Sequence, residues 1–172
     1  MRLTKEFYSQ PADKLSALLL GKVICRNIDG NILKYKITET ECYMGENDTA
    51  CHAHKGKTKR NEIMFERGGF VYVYLCYGIH YMLNIVSGEK NRPEAVLIRK
   101  IISLDGASAN GPGLVTKALK IDKTFNGEDL TSSERLCLED HGFHQEIFTG
   151  KRIGIDYAAE KDRERLWRFY SK

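Results

Sequence analysis

The sequence predicts an α+β fold in one domain over residues 1–172, built on a mainly antiparallel sheet with short helices at its ends. Three observations lead there. Hydrophobic residues make up 42% and charged residues 29% of 172 positions, the mix of a globular chain with room for one core and not two large ones. Runs rich in Tyr, Val, Ile and Leu recur with turn residues between them, the pattern of hairpin-connected strands. Helical periodicity is confined to short flanking stretches.

Residues 11–21 read as a short helix, with Pro11 near the first turn, Leu15, Leu18 and Leu19 on one side and Gly21 as the stop. A hairpin follows, with strands over 23–28 and 32–43 around Asp29-Gly30-Asn31. Residues 47–67 are polar and read as a long loop or short helical turns, and loops of that length in compact domains tend to be functional. Strands are predicted over 70–77, 81–86 and 95–102, with turns at 77–80 and 87–93. Residues 113–121 and 132–140 are read as helical, and 151–155 as a last strand. The chain contains no repeat and no low-complexity tract.

No apolar run approaches the length of a membrane span, and Met1 to Glu6 lack the apolar stretch of a secretory signal. A cytoplasmic location is expected. Five cysteines, an odd number without paired spacing, point to reduced thiols and not a disulfide framework. The net charge of +4 permits an anionic partner without requiring one. Lys55, Lys57, Lys59, Arg60 and Arg67 form one basic segment, and the tail from Lys151 forms a second, with an acidic stretch over 128–146 between them. Converging in the fold, the two basic segments could receive phosphates; solvated surface charge explains them equally well.

The strand over 32–43 carries acids where core residues are due. One face reads Leu33, Tyr35, Ile37, Glu39, Glu41, Tyr43. Its first half alternates cleanly, so continuing the period directs Glu39 and Glu41 inward with Leu33, Tyr35 and Ile37. A buried carboxylate is costly unless paired or hydrogen-bonded, and such a setting tunes a general base. The alternative is that the strand leaves the sheet and both acids reach water; periodicity alone slightly favours this alternative.

Aromatic groups with polar handles crowd the next forty residues: Tyr43, His52, Tyr72, Tyr74, Tyr77 and Tyr81. Aromatic faces replace lost stacking for an unstacked base, while a tyrosine-rich sheet core is the simpler explanation for Tyr72 and Tyr81. Tyr77 precedes Gly78 at a turn, where a large side chain protrudes and suits a wedge entering a duplex.

Several strings, in order along most of the chain, resemble the alkyladenine (3-methyladenine) DNA glycosylase family. They include Thr38-Glu39-Thr40-Glu41-Cys42-Tyr43, Ala50-Cys51-His52, Thr58-Lys59-Arg60-Asn61 and Tyr72-Val73-Tyr74-Leu75-Cys76-Tyr77-Gly78. Asn84-Ile85, Val96-Leu97-Ile98-Arg99, Gly111-Pro112-Gly113-Leu114, Arg152-Ile153-Gly154-Ile155 and Arg168-Phe169-Tyr170 continue the match. The resemblance implies a curved, open-barrel-like sheet and a monofunctional glycosylase of base excision repair that needs no metal or other cofactor. Its implied partner is double-stranded DNA holding a damaged purine: 3-methyladenine, with hypoxanthine and ethenoadenine as further substrates. Glu41 is implied as the general base that activates water, with Arg99 helping to hold that water. Tyr43 and His52 are implied to stack on one face of a flipped base and Tyr74 on the other, Asn84 to lie at the pocket floor, and Tyr77 to fill the gap in the duplex. The implied location is the bacterial cytosol or nucleoid. Nothing requires more than a monomer. Cys42 and Cys76 depart from the family pattern but conserve size, and shortened segments after Arg99 and at the C-terminus imply fewer DNA contacts there.

Three other readings compete. Cys42, Cys51, His52 and His54 offer metal-binding groups, but the 51–54 spacing is too tight for one ion. A non-catalytic nucleic-acid module accounts for the tyrosines and lysines and leaves Glu41 without a purpose. A nucleoside hydrolase shares the bond broken but needs no polymer. His80, His141 and His144 are expected at turns or the surface, and Trp167 as an anchor of the C-terminus.

Overall fold

Alternating apolar and polar residues build a central hairpin on which the other strands assemble. In the computed structural model, which describes residues 1–172, β1 (Val23–Ile28) and β2 (Asn31–Tyr43) pair antiparallel from Val23 opposite Lys36 to Ile28 opposite Asn31. Asp29 and Gly30 take φ values of 50° and 89°, the left-handed pair that matches hairpin twist. A meander of β3 (Val71–Cys76), β4 (His80–Ser87) and β5 (Glu94–Ser103) follows, and β6 (Ser108–Asn110) folds back on β5. β7 (Leu136–Glu139) lies along β1, while β8 (Phe148–Gly150) and β9 (Arg168–Tyr170) pair with each other. The order is β3-β4-β5-β2-β1-β7, all antiparallel, in a sheet curled into a half-barrel. The α+β expectation holds.

β2 spans 13 residues and changes its neighbour along one edge. Residues 31–36 pair with β1, residues 39–41 with β9, and β5 occupies the other edge. Four short helices flank the sheet: α1 (Lys5–Tyr8), α2 (Ala12–Leu19), α3 (Pro112–Leu119) and α4 (Glu160–Arg163). Leu15 and Leu19 of α2, Leu119 of α3 and Tyr8 of α1 are fully buried against Ile24, Ile37, Ile98 and Ile101 of the sheet. Leu18, expected beside Leu15 and Leu19, points outward.

Two expected elements are corrected. Residues 132–140 are not helical: Leu136 and Leu138 are buried while Cys137 and Glu139 are half-buried, a period of two that pairs them with β1. Residues 151–155 form no strand. The Ile153 N–H is directed at a side-chain carboxylate instead of a neighbouring strand, and Gly154 takes φ 75°. The last strand is β9.

Three backbone segments meet where β3 begins. Gly68 N–H donates to the Gly88 carbonyl (2.8 Å), and Gly88 N–H donates to the Tyr8 carbonyl (3.0 Å). A Cβ at Gly68 would stand 2.1 Å from the Tyr8 carbonyl oxygen. Gly68→Ala is predicted to lower stability by about 1–3 kcal/mol through overpacking, measured by urea unfolding; an unchanged midpoint would contradict this close approach.

Candidate active site

The alternation along β2 slips by one residue near Glu39. Ile37 lies opposite Ile101, Glu39 opposite Lys100, and Thr40 opposite Ile98, with irregular pairing on both sides of Glu39. Upstream, Tyr35 and Ile37 face the main core. Downstream, Cys42 joins that core and the Thr40 hydroxyl donates to the Ser16 carbonyl of α2 (3.0 Å). A one-residue slip in a period-two element exchanges its faces. Glu41 therefore does not share the side of Leu33, Tyr35 and Ile37, as unbroken periodicity predicts. It points inward all the same, with 0% exposure, into a second interior on the other face of the sheet.

Sheet register assembles that second face. Tyr72 lies opposite Asn84, Asn84 opposite Leu97, Leu97 opposite Glu41, and Glu41 opposite Arg168. Residues paired laterally point to the same side, so Asn84 and Glu41 stand two strand spacings apart, about 10 Å. An adjacent row sets Val86, Ala95 and Tyr43 side by side. Between and above these rows is a cavity of 570 Å³, walled by Tyr43, His52, Tyr74, Asn84, Arg99 and Tyr157 among others. Its lining is mostly apolar, as small-molecule sites generally are.

Glu41 is held from three directions. Oε1 accepts the Ile153 N–H (2.7 Å), Oε2 accepts the Tyr43 hydroxyl (2.9 Å), and Arg99 Nη1 lies 3.5 Å from Oε2. Arg99 also donates through Nε to Glu39 Oε1 (3.1 Å), a carboxylate that Arg168 approaches at 3.5 Å. Burial raises the pKa of Glu41 above its ordinary value, opposed by Arg99, the Ile153 N–H, the Tyr43 hydroxyl and Arg152. Burial likewise drives the Tyr43 phenol well above its ordinary value, reinforced by the neighbouring Glu41. Tyr43 therefore remains a hydrogen-bond donor.

His52 and Tyr74 stand at the mouth with ring centroids 4.4 Å apart and planes at 68°. His52 Nδ1 is 3.0 Å from the Tyr72 hydroxyl, and its carbonyl accepts from Asn61 Nδ2 at 3.0 Å. Surrounding protein, then Arg60, lowers the pKa of His52, which favours the neutral imidazole. Asn84 is buried and its amide donates to the Tyr72 and Met82 carbonyls (3.2 and 3.4 Å). Tyr77 is 90% exposed at the β3–β4 turn with φ 52°, followed by Gly78 at φ 65°. Left-handed backbone at a bulky residue costs roughly 1–2 kcal/mol, and such strain concentrates at functional positions. The structure thus brings Arg99, Tyr43, His52, Tyr74, Tyr77 and Asn84 around one cavity, with Glu41 directly behind Tyr43, Arg99 and Ile153 of its wall.

The strap at 151–157, expected as a strand opening a basic tail, is instead what closes the site. Arg152 has a fully buried side chain that donates to both Asp48 carboxylate oxygens (2.6 and 2.8 Å), the Cys42 carbonyl and the Asp162 carbonyl. Its guanidinium lies 4.9 Å from the ring centroids of both Tyr43 and Trp167. One residue later comes the amide that grips Glu41, and the Tyr157 hydroxyl donates to the Ala50 carbonyl (2.8 Å). The loop that carries the first basic segment meets the strap that opens the second through the Arg152–Asp48 pair. Arg152 and Arg168, however, are taken up by internal acids, which leaves Lys55, Lys57, Lys59 and Arg60 exposed. Cys42, Cys51, His52 and His54 do not gather into a ligand set. No helix is long and apolar enough to cross a membrane.

The sequence profile of the family described as methylpurine-DNA glycosylase matches residues 6–172. The chain belongs to this family. Similar proteins include one from Borrelia garinii subsp. bavariensis, 44% identical over 178 residues, covering 99% of this chain and 96% of the relative. Others come from Natranaerobius thermophilus, 40% identical over 189 residues with 99% and 95% coverage, and Clostridium perfringens, 42% identical over 198 residues with 100% and 96% coverage. All three are named, provisionally, as 3-methyladenine DNA glycosylases. This methylpurine-DNA glycosylase is a hydrolase of N-glycosyl bonds in base excision repair, acting on DNA with damaged bases.

The strap of this glycosylase carries a test. Removing one partner of a buried ion pair leaves the other charge uncompensated. Arg152→Met is predicted to destabilise the fold by about 3–5 kcal/mol, with much of the loss recovered in Arg152→Met/Asp48→Leu. Equal instability of the single and double variants in urea would contradict that pairing.

Proposed function

We propose that this glycosylase is monofunctional and flips a damaged purine out of duplex DNA into the cavity, where a water positioned by Glu41 displaces it. The fully buried Glu41 carboxylate, held by Tyr43, Arg99 and Ile153 in the wall of an aromatic-lined cavity, carries this reading. Each carboxylate oxygen has two acceptor sites, so Oε1 and Oε2 retain capacity for a water beyond their bonds to Ile153 and Tyr43. Glu41 takes a proton from that water as its oxygen bonds to the sugar carbon, on the side opposite the base. The glycosidic electron pair leaves with the purine through a transition state of oxocarbenium character. Arg99 favours the ionised form of Glu41 against its burial and helps to hold the water.

The same geometry supports the roles of the pocket. A purine occupies the span of about two strand spacings between Asn84 and Glu41, with Asn84 opposing guanine's exocyclic amine at the floor. Tyr43 and His52 stack on one face and Tyr74 on the other. A ring needs about 7 Å between the groups that flank it, so His52 and Tyr74, now 4.4 Å apart, separate as the base enters. Flipping costs a few kcal/mol and stacking returns on the order of 1–3 kcal/mol per base. Tyr77, filling the vacated stack, tips that balance.

A cationic 3-methyladenine leaves without further help; hypoxanthine and ethenoadenine, as neutral substrates, gain from protonation of a ring nitrogen. No lysine lines the cavity, which supports hydrolysis to an abasic site and not Schiff-base strand cleavage. The protein works as a monomeric single domain over residues 1–172 in the bacterial cytosol.

Glu41→Gln is predicted to slow single-turnover release of 3-methyladenine by about 10²–10⁴-fold while duplex affinity persists. Near-normal release by that variant would remove Glu41 from the chemistry. Failure of the wild-type protein to release any free base would favour a non-catalytic binding module.

A further inference from the structure

Far from the cavity, at the β1–β7 edge, three metal-binding groups occupy the face of the sheet turned away from the main core. Cys25 lies directly opposite Cys137 in the β1–β7 register, while their neighbours Ile24 and Leu138 point into the core. Along β7 and just beyond it, Cys137, Glu139 and His141 recur at every second position, the spacing that places strand residues on one side. One ligand atom from each of Cys25, Cys137 and Glu139 lies within 4.8 Å of the others. His141 Nε2 is 2.7 Å from Glu139 Oε2. All five cysteines are free.

We infer that this cluster is a structural site for a borderline-soft divalent ion of the zinc class, held by Cys25, Cys137 and Glu139 with His141 as fourth ligand. Two thiolates, a carboxylate and an imidazole are the donors that zinc takes in tetrahedral sites. Zinc–ligand bonds of about 2.0–2.3 Å set ligand separations of roughly 3.3–3.8 Å, so binding draws Cys25, Cys137 and Glu139 together by at most about 1–1.5 Å, and His141, outside that 4.8 Å set, swings in from Glu139. The ion replaces the His141–Glu139 contact, each group turning its lone pair to the metal. Two thiolates and one carboxylate exceed the charge of a divalent ion by one, and Lys34, 3.5 Å from Glu139 Oε2 and opposite Cys25 in the β1–β2 register, balances the surplus. Arg2, bridged to Glu139 on the other edge of β7, adds to the positive surroundings. Cys25 is nearly buried, whereas Glu139 and His141 keep about a quarter of their side-chain surface exposed (27% and 25%), which leaves an entry path for the ion. An ion here ties β7 to the β1–β2 hairpin and takes no part in base release.

Cobalt(II) is the probe, titrated into full-length protein kept reduced with a phosphine. One equivalent is expected to give intense thiolate-to-cobalt charge-transfer absorption and tetrahedral d–d bands, abolished by stoichiometric zinc, and zinc is expected to raise the thermal midpoint. Cys25→Ser/Cys137→Ser should lose the charge-transfer band and the zinc-dependent rise while still releasing 3-methyladenine from DNA, which shows that it folds. His141→Ala, which removes a ligand, should weaken zinc binding by at least the roughly 10–100-fold that loss of an outer partner costs. Should the double variant not fold, Glu139→Gln, at a partly exposed position, serves in its place with the same expected loss of zinc-dependent stabilisation. Absence of charge-transfer absorption in the wild type, or its survival in the double-serine variant, would overturn the inference. So would formation of a Cys25–Cys137 disulfide in air by a protein that takes up no metal when reduced.

Discussion

Glu41 has no solvent exposure and lies just behind the wall of a mostly apolar cavity, and much of the molecule is arranged around that one carboxylate. An isolated charge in such a place is strongly disfavoured. Here it is tolerated because an amide, a phenol and a guanidinium converge on it from three separate parts of the chain. The same contacts set its chemistry. Burial alone would hold the proton on; Arg99, the Ile153 amide and Tyr43 pull the other way, leaving a base that can ionise and yet meets little competing water.

The sheet provides spacing and the strap provides closure. Cross-strand register fixes Tyr72, Asn84, Leu97 and Glu41 in one row, so the distance from cavity floor to acid follows from strand geometry and not from loops. The loop over 47–67 and the strap over 151–157 are then locked together by the Arg152–Asp48 pair beneath Tyr43. Tyr77, which we propose enters the duplex, stays 90% exposed at the β3–β4 turn while the elements behind it are packed.

Much of this was legible in the amino-acid order, and the exceptions have identifiable causes. The strands of the meander and the polar 47–67 segment, bounded by a short turn at Gly45–Asn47 and containing another at Glu62–Phe65, follow from local patterning. The face of Glu41 does not, because an irregular pairing on both sides of Glu39 is decided by the partner strand β5, which slips as well. Residues 132–140 were open to a helical reading, yet Leu136 and Leu138 alternate, and only pairing with β1 makes that period visible. Arg152 looks like one more member of a basic tail. Its burial depends on Asp48, more than a hundred residues earlier, a contact that no local pattern announces. Asn61, which holds the His52 carbonyl, was within reach as part of the Thr58-Lys59-Arg60-Asn61 string.

The protonation behaviour of Glu41 decides whether it can act as a buried base. Carbon-13 NMR of carboxyl-labelled protein, with Glu41 assigned by its loss in the glutamine variant, would follow that group through a pH titration. A midpoint above the ordinary 4.5 is predicted, moving further upward when Arg99 is replaced by leucine. Between 4.5 and that midpoint the folded protein binds more protons than the unfolded chain, so the contribution of Glu41 to stability falls as pH rises through the window. A midpoint at or below 4.5, unmoved by loss of Arg99, would mean a solvated carboxylate and would contradict the buried base on which the reaction scheme rests.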